Sequence, residues 1–270
     1  MQPALALKFS IEYLASLKSV KRAACMDESV FNHLLYRIAN AQIHTYPYTH
    51  FYIENIFPPD FYDEMIGKFP DEAQFKSLVE MGNAPPGTYE NRYVLPLKPN
   101  DLSQLPFDQL MFWSHFSQAF AQEVWPKTLL GKFHSDIRNR FGDHYLHTAF
   151  YSKVELLSDQ SEYAIGPHTD HPRRVLTLLF YLPSSTKQAH LGTSLYRPKD
   201  PYFRCEGLKH HTHEGFTKVF TVPFLPNSVF GFIKSDHSFH GVESIGKQEC
   251  PRRLLNYTLC WAPPSSILSS

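Results

Sequence analysis

Cysteine is scarce in this sequence, with four residues among 270, and no two of them have the Cys-x-x-Cys spacing of zinc and redox motifs. Long hydrophobic runs are also absent, since none reaches the roughly 18 residues that a membrane span needs. The first residues lack the apolar core of a secretory signal peptide. We therefore expect a soluble protein in a reducing compartment, with the cytoplasm as the default location.

An excess of charge of either sign is missing too, because 26 Lys and Arg residues balance 26 Asp and Glu residues. A chain without a basic surplus has no overall attraction to nucleic acid or to anionic membranes. The composition therefore argues against nucleic acid as a partner, while a local basic groove stays open.

Aromatic residues and prolines are plentiful by contrast, at 15% of the chain and 21 residues. This favours many short strands over a helical bundle. With 43% hydrophobic residues, the chain can bury a full core as one large domain or as a domain with a helical extension.

The first half of the chain has mainly helical periodicity, with apolar residues three and four positions apart. Pro126 should interrupt the last of these helices. The loop at 82–106, which is rich in Gly, Pro and Asn, is a candidate lid. The predicted elements are helices within 1–43, a strand at 50–57, a helix at 58–69, a loop at 82–106 with a short strand at 92–97, and helices between 107 and 141.

The second half consists of short apolar or alternating runs separated by turn residues, which predicts eight strands in a β-sandwich or jelly roll. These strands are expected at 146–156, 161–166, 175–182, 192–197, 216–222, 228–233, 239–245 and 252–261. The expected fold is α+β and mainly β. Residues 1–144 form a helical region with short strands that packs on one sheet, and residues 145–270 form the β core of one integrated domain.

A metal-binding pattern lies within the predicted strands. His168 and Asp170 are two residues apart in Gly-Pro-His-Thr-Asp, so at a strand end both can point the same way. His240 follows 72 positions later in Phe-His-Gly-Val. Two imidazoles and one carboxylate form the facial triad that leaves open positions on a non-haem ferrous ion. His237 is the competing distal ligand, and the His-Gly-Val context favours His240.

An isolated His-x-Asp pair is usually a polar surface feature, but here other features follow it in order. These are the run Leu-Thr-Leu-Leu-Phe-Tyr-Leu-Pro at 176–183, Gly192-Thr193, His240-Gly-Val and Arg252-Arg-Leu-Leu-Asn-Tyr. On these motifs, residues 145–262 resemble the 2-oxoglutarate/Fe(II)-dependent oxygenase superfamily, and within it the prolyl-hydroxylase-like branch.

This resemblance implies a double-stranded β-helix, a distorted jelly roll of the cupin type, with iron at its mouth. It also implies Fe(II), 2-oxoglutarate and O2 as cofactor and co-substrates, with ascorbate as a stimulant, and release of succinate and CO2. The implied catalytic and metal-binding residues are His168, Asp170 and His240.

The co-substrate has a second carboxylate, which an arginine can bind through two parallel hydrogen bonds. Arg252, 12 positions after His240, is the candidate, with its neighbour Arg253 as the alternative. Strand alternation favours Arg252, because it groups with the more polar residues of its strand. The resemblance implies a serine at position 254, where this chain has leucine, and Tyr151 could supply the missing hydrogen bond.

Several other residues have both a functional and a structural interpretation. The His210–Glu214 cluster could be a second metal site, although a solvated loop is favoured. His171 could contact substrate or cap the strand end, and Arg173 and Arg174 could meet an anionic group or only solvent. The aromatic residues of 112–120 are expected in the core rather than in a binding site.

The leading hypothesis is a hydroxylase acting on an unidentified small-molecule or peptide-like substrate. Its competitors are a cupin-type metal barrel with other chemistry and a non-catalytic binding or sensing barrel. Cupin sites usually have more histidines in a tighter cluster, and a sensor would have a degraded triad. The pattern His168-Thr-Asp170 with His240 matches neither competitor.

Overall fold

Two antiparallel β-sheets form the framework of the protein in a computed structural model, which describes residues 26–207 and 209–262. The larger sheet has seven strands in the order β1-β9-β6-β11-β4-β3-β2, and the smaller has four in the order β5-β10-β7-β8. The strands are β1 (His50–Glu54), β2 (Lys76–Ser77), β3 (Arg92–Pro96), β4 (Ala149–Asp159), β5 (Ile165–His168), β6 (Arg174–Tyr181), β7 (Ser194–Pro198), β8 (Phe216–Thr221), β9 (Ser228–Ile233), β10 (His240–Val242) and β11 (Arg252–Ala262).

The helices lie in the first half of the chain, as the periodicity predicts. They are α1 (Glu28–Asn40), α2 (Pro59–Gly67), α3 (Pro99–Leu102), α4 (Phe107–Ala121), α5 (Val124–Lys132) and α6 (His134–Phe141). Asp27 caps α1 by accepting a hydrogen bond from the Val30 amide at 2.9 Å. The helix expected within residues 1–25 falls outside the described residues.

The helical segment was expected to break at Pro126, but the break lies earlier in the chain. The chain leaves the helical path after Ala121, and Pro126 sits in the first turn of α5. A proline is tolerated there because the first amides of a helix have no intrahelical partner.

Aromatic packing joins the helical layer to one face of the larger sheet. The Phe120 ring centroid lies 5.4 Å from that of Tyr257 on β11 and 6.0 Å from that of Phe180 on β6. Trp125 packs edge-on against Tyr257 at 5.5 Å. The four aromatic residues predicted for the core all belong to this cluster, namely Phe112, Trp113, Phe116 and Phe120. Burial of each such side chain contributes about 1.5–3 kcal/mol.

The opposite face of the larger sheet meets the smaller sheet across a second apolar cluster. Strand β11 contributes to both sides. Leu255, Tyr257 and Leu259 pack under the helices, whereas Leu254 belongs to the cluster between the sheets. The predicted alternation along this strand is therefore confirmed.

Strands from the N-terminal region extend the larger sheet, since β1 pairs with β9 and β3 pairs with β4. All eight strands predicted after residue 145 are present, β9 with the predicted bounds and the others with shifted ends. Strand β2 and helix α3 are additions that the sequence did not indicate. Within the described part of the chain, no helix is long and apolar enough to cross a membrane.

Close backbone contact fixes one glycine of this framework. A Cβ atom on Gly192, which precedes β7, would lie 1.5 Å from the Val222 carbonyl oxygen. The chain segments at 192 and 222 can approach this closely only because Gly192 has no side chain.

We expect Gly192→Ala to lower the free energy of unfolding by about 1–3 kcal/mol, the usual cost of overpacking. Urea denaturation followed by circular dichroism measures it. Gly131→Ala is the matched control, because no atom lies within 4 Å of the added Cβ in helix α5. Alanine there should be neutral or stabilising by up to about 1 kcal/mol. Equal midpoints for the two variants would contradict the proposed contact.

Candidate metal centre

Strand pairing brings three metal-binding side chains together. Strands β5 and β10 are antiparallel neighbours, and their register puts His240 directly opposite His168. Asp170 follows two residues beyond the end of β5. One ligand atom from each residue lies within 4.8 Å of the other two, and His240 Nε2 is 3.8 Å from Asp170 Oδ1. His237, the competing ligand, is not part of this cluster.

Both histidines have the same hydrogen bond behind the ring. His168 Nδ1 lies 3.0 Å from the Gly166 carbonyl oxygen, and His240 Nδ1 lies 2.9 Å from the Ser238 carbonyl oxygen. A carbonyl oxygen can only accept, so each Nδ1 carries the hydrogen and donates. The two Nε2 atoms therefore keep their lone pairs, as metal ligation requires.

The Asp170 carboxylate is oriented by two donors. Arg174 Nη1 donates to Oδ1 and Thr177 Oγ1 donates to Oδ2, each at 2.7 Å. Both oxygens are thus held in place, and Asp170 has a fixed direction toward the two imidazoles. Arg174, expected at the surface or on a substrate anion, is instead an internal partner of this carboxylate.

The pKa values put all three residues in the form that binds a metal. Burial lowers the pKa of His168 well below its ordinary value, and the nearby His240 lowers it further. Burial also lowers the pKa of His240. Burial alone would raise the pKa of Asp170, but Arg174, His240 and Thr177 together bring it below its ordinary value. At neutral pH the site holds two neutral imidazoles and one carboxylate.

Glycines permit the close approach of backbone around the triad. A Cβ atom on Gly241 would lie 2.5 Å from the Ile165 carbonyl oxygen, so the glycine of His-Gly-Val is required where β10 meets β5. Gly207 has a φ of +118°, and a Cβ atom there would lie 2.3 Å from the Asp170 carbonyl oxygen. The chain near residue 207 therefore packs directly on the backbone of the metal ligands.

A cavity of about 500 Å³ extends from the triad between the two sheets. Its wall on β11 consists of the even-numbered residues Arg252, Leu254, Asn256 and Cys260. Arg252 is 1% exposed and lies at the end of this row away from Cys260. The cavity thus has a metal-binding triad in one wall and a buried guanidinium at its inner end.

The Arg252 guanidinium is only partly satisfied. Nε donates to the Leu191 carbonyl oxygen at 2.6 Å, and Nη1 donates to Asp159 Oδ2 at 2.7 Å. Nη2 is buried and has no hydrogen-bond partner among the described residues. A buried unpaired donor carries a desolvation cost, which a carboxylate bound in the cavity would remove.

Asp159 is shared between two arginines. Arg92 on β3 donates to it from Nε at 2.6 Å and from Nη2 at 2.9 Å, in addition to the bond from Arg252. Asp159 is completely buried. Two guanidinium groups and one carboxylate leave a surplus of one positive charge at the inner end of the cavity, which an anionic ligand would neutralise.

Thr193 offers a hydroxyl donor beside this group. Its Oγ1 accepts a hydrogen bond from the Tyr181 hydroxyl at 2.9 Å, and its amide donates to the same Tyr181 oxygen at 3.4 Å. The Thr193 hydroxyl proton is therefore available to another acceptor. Thr193 and Arg252 both line the cavity.

The two alternative co-substrate residues lie elsewhere. Arg253 is on the outer face, where Nη2 donates to Glu72 Oε1 at 2.9 Å. Tyr151 lines the cavity, but in the β4–β11 register it lies opposite Cys260, whereas Arg252 lies opposite Asp159. Eight strand residues separate the two pairs, or about 26 Å. This distance corrects the idea that Tyr151 shares a carboxylate with Arg252, and Thr193 is the better-placed hydroxyl.

The remaining candidates surround the cavity mouth. His210 packs against His168 with ring centroids 4.9 Å apart, and its Nε2 lies 3.2 Å from the Tyr89 hydroxyl. No second metal cluster is found among residues 26–207 and 209–262. His171 is exposed, and its Nδ1 accepts from the Arg173 amide at 3.0 Å.

Sequence reasoning missed the residues that support the site from a distance. Thr177 belongs to a strand that the pattern predicted only as a core element. Arg92 begins the short strand predicted within a loop, and Asp159 lies between two predicted strands. Thr193 was noticed as part of a turn, without a role. A buried polar residue between apolar neighbours, such as Thr177 between Leu176 and Leu178, is a signal that could have found one of them.

Comparison with protein-family models and with curated proteins finds no match. Solved structures of 2-oxoglutarate/Fe(II) oxygenases do match. A prolyl hydroxylase from Trichoplax adhaerens, in complex with a hypoxia inducible factor peptide, is 12% identical, with 90% of this chain and 94% of that chain covered and a TM-score of 0.47. An oxidoreductase of the 2OG-Fe(II) oxygenase family from Burkholderia pseudomallei is 10% identical, with coverages of 87% and 92% and a TM-score of 0.44.

A prolyl-4-hydroxylase from Pseudomonas putida is 14% identical, with 86% of this chain and 97% of that chain covered and a TM-score of 0.41. At such low identity the function of this chain has to be inferred from its own site, and the chain is similar to 2-oxoglutarate/Fe(II) oxygenases of known structure.

Proposed function

We propose that this chain is a non-haem Fe(II) and 2-oxoglutarate-dependent dioxygenase, in which His168, Asp170 and His240 hold the iron. One observation carries the proposal. Two neutral imidazoles with free Nε2 atoms and one ionised carboxylate converge in the wall of a cavity that also contains a buried, partly unpaired arginine. Two histidines and one carboxylate are the ligand set of ferrous oxygenases.

The proposal includes the finer architecture. The seven-stranded and four-stranded antiparallel sheets would form a double-stranded β-helix with the helices on its larger sheet. Residues 1–144 and 145–270 would make one integrated domain, because β1 and β3 pair with strands of the second region. A cytoplasmic location remains the expectation from cysteine spacing.

The donor set fits iron and a keto acid. Bound iron would supply the oxidation of a substrate C–H bond, coupled to conversion of 2-oxoglutarate and O2 into succinate and CO2. The role of the chain's own residues is to bind and position the iron, the 2-oxoglutarate and the substrate. Asp170 and the two histidines leave part of the metal's coordination sphere open, and ascorbate would act as a stimulant of turnover.

Arg252 would bind the distal carboxylate of 2-oxoglutarate through Nη2. Thr193 would donate its hydroxyl proton to the same carboxylate, in the place of the serine that Leu254 replaces. Asp159 holds Arg252 in position, and Arg92 holds Asp159. The surplus positive charge at this end matches the carboxylate, so the bound pair would be electrically balanced.

Apolar side chains would keep water from the region between iron and arginine. Leu157 and Val94 on the larger sheet, with Ile165 and Val242 on the smaller, line the cavity there. A dry cavity strengthens the attraction between Arg252 and a carboxylate. Hydroxylation is the proposed outcome, since halogenating relatives are expected to lack the carboxylate that Asp170 supplies. The substrate itself would be a small molecule or a peptide-like segment.

We expect the purified protein to bind one Fe(II), or Mn(II) as a surrogate, and His168→Ala or His240→Ala to abolish binding. Each variant retains only two of three protein ligands, too few to hold a labile ferrous ion. Metal analysis after gel filtration and Mn(II) electron paramagnetic resonance measure this. His237→Ala is the matched control, because His237 lies outside the cluster. Unchanged stoichiometry in both ligand variants would contradict the triad.

The enzyme assay tests the whole proposal. With Fe(II), 2-oxoglutarate and ascorbate in air, the wild-type protein should release succinate, and candidate substrates should increase the rate. Asp170→Ala should reduce succinate release to background, since the carboxylate ligand is removed. Succinate release that does not depend on added Fe(II) would refute the assignment.

We expect Arg252→Ala to raise the apparent 2-oxoglutarate constant at least tenfold, and Arg253→Ala to leave it nearly unchanged. Loss of a buried charge-assisted partner weakens binding by about 2–5 kcal/mol, while a half-exposed outer ion pair contributes under about 1 kcal/mol. Titration of 2-oxoglutarate against succinate release gives both constants. The reverse order would place the register of β11 off by one residue.

A further inference from the structure

We propose that the substrate of this site carries an oxyanion, a carboxylate or a phosphate, and that Arg173 binds it at the cavity mouth. This inference rests on the proposed oxygenase function and adds the chemical class of the substrate. The metal triad and the arginine that would bind 2-oxoglutarate do not require an anionic substrate, and Arg173 belongs to neither group.

The polarity of the cavity wall changes along β4. Alternate residues of this strand face the cavity, and they are Leu157, Glu155, Lys153 and Tyr151 from the inside outward. The inner part, opposite Leu254, is apolar and suits the stem of 2-oxoglutarate. The outer part is charged and ends at Tyr151, which is 43% exposed. A substrate entering from outside therefore meets polar groups first.

Positive charge is in surplus at this outer part. Three exposed cationic residues line the cavity, Lys153, Arg173 and Lys209, together with one acid outside the metal triad, Glu155. Lys153 Nζ lies 3.7 Å from Glu155 Oε1. Within the described residues, no carboxylate oxygen lies within 4.0 Å of Arg173 or Lys209. The mouth is thus basic although the chain as a whole has zero formal net charge.

Arg174, the next residue, shows what a structural arginine looks like in this protein. It is half-buried and donates to Asp170 at 2.7 Å. Arg173 has the opposite environment, since it is exposed at the mouth and its guanidinium interacts with the Tyr151 hydroxyl. A phenol leaves most guanidinium donors available for an incoming anion.

The backbone around Arg173 is held rigidly. The Trp261 amide donates to the Arg173 carbonyl oxygen at 2.9 Å, and Trp261 Nε1 donates to the Pro172 carbonyl oxygen at 3.0 Å. Arg140 Nη1 donates to the Arg174 carbonyl oxygen at 2.7 Å. Three successive carbonyl groups are therefore anchored by side chains or backbone from α6 and β11, which fixes where the Arg173 side chain begins.

Arg173 also lies close in the chain to the proposed metal ligand Asp170. Arg173 follows Asp170 by three residues, so their Cα atoms are at most about 10 Å apart. An anion bound by Arg173 would place neighbouring carbon atoms of the substrate near the iron. Arginine binds carboxylate and phosphate through two parallel hydrogen bonds, which orients the ligand as well as holding it. A basic rim also raises the local concentration of anions.

The test is equilibrium binding to the Mn(II)-loaded protein with saturating 2-oxoglutarate, so that the inner end of the cavity is filled. The probes are phenyl phosphate, benzoate and benzamide, which share a ring and differ in charge. We expect at least one of the two anions to bind tenfold more tightly than benzamide, and the tighter anion identifies the phosphate or carboxylate source. Calorimetry or tryptophan fluorescence measures the constants.

Arg173→Gln should remove the preference for the anion and leave benzamide binding unchanged, whereas Arg173→Lys should retain part of it. Arg197→Gln is the matched control, because Arg197 is an exposed arginine on β7 that does not line the cavity. If neither anion binds more tightly than benzamide, or if Arg173→Gln keeps the preference, the inference is overturned while Mn(II) and 2-oxoglutarate binding still stand. Failure to bind Mn(II) would instead overturn the proposed function and the inference with it.

Discussion

The antiparallel pairing of β5 with β10 is the contact on which the site depends. It places His240 opposite His168, and it is possible only because Gly241 lets the β10 backbone approach the Ile165 carbonyl oxygen. Both imidazoles then donate from Nδ1 to a carbonyl two residues earlier in their own segment. The same local geometry at two places in the chain produces two matching ligand atoms.

Charge is distributed so that most buried ions have a partner inside the protein. Asp170 is held by Arg174, and Asp159 is held by Arg92 and Arg252. The second group is unbalanced by one positive charge, and a donor of Arg252 is unpaired. Such an imbalance is costly in a buried site unless a ligand of opposite charge completes it. The proposed co-substrate does so with its distal carboxylate.

Strand β11 links the stability of the fold to the chemistry of the site. Its odd-numbered residues bury against the helical layer, and Tyr257 contacts both Phe120 and Trp125. Its even-numbered residues line the cavity, beginning with Arg252. Because adjacent residues face opposite sides, a shift of one position would bury Arg253 in the cavity and expose the core residues. The helical layer therefore fixes the register that directs Arg252 inward.

The sequence by itself determined two things. These are the elements whose apolar residues recur with a regular period, and the residues whose chemical type is unusual at their position. Eight strands and the aromatic core of α4 follow from patterns within a few residues. The triad of His168, Asp170 and His240 follows from a local His-x-Asp pair and from motifs in a fixed order along the second half of the chain. The tertiary structure alone decided which polar residues support them. Asp159 reaches Arg92 and Arg252 across separations of 67 and 93 residues, and the distance from Tyr151 to Arg252 depends on strand register. Such contacts arise from how strands pair in space, because periodicity records which face a residue occupies and not which distant residue it meets.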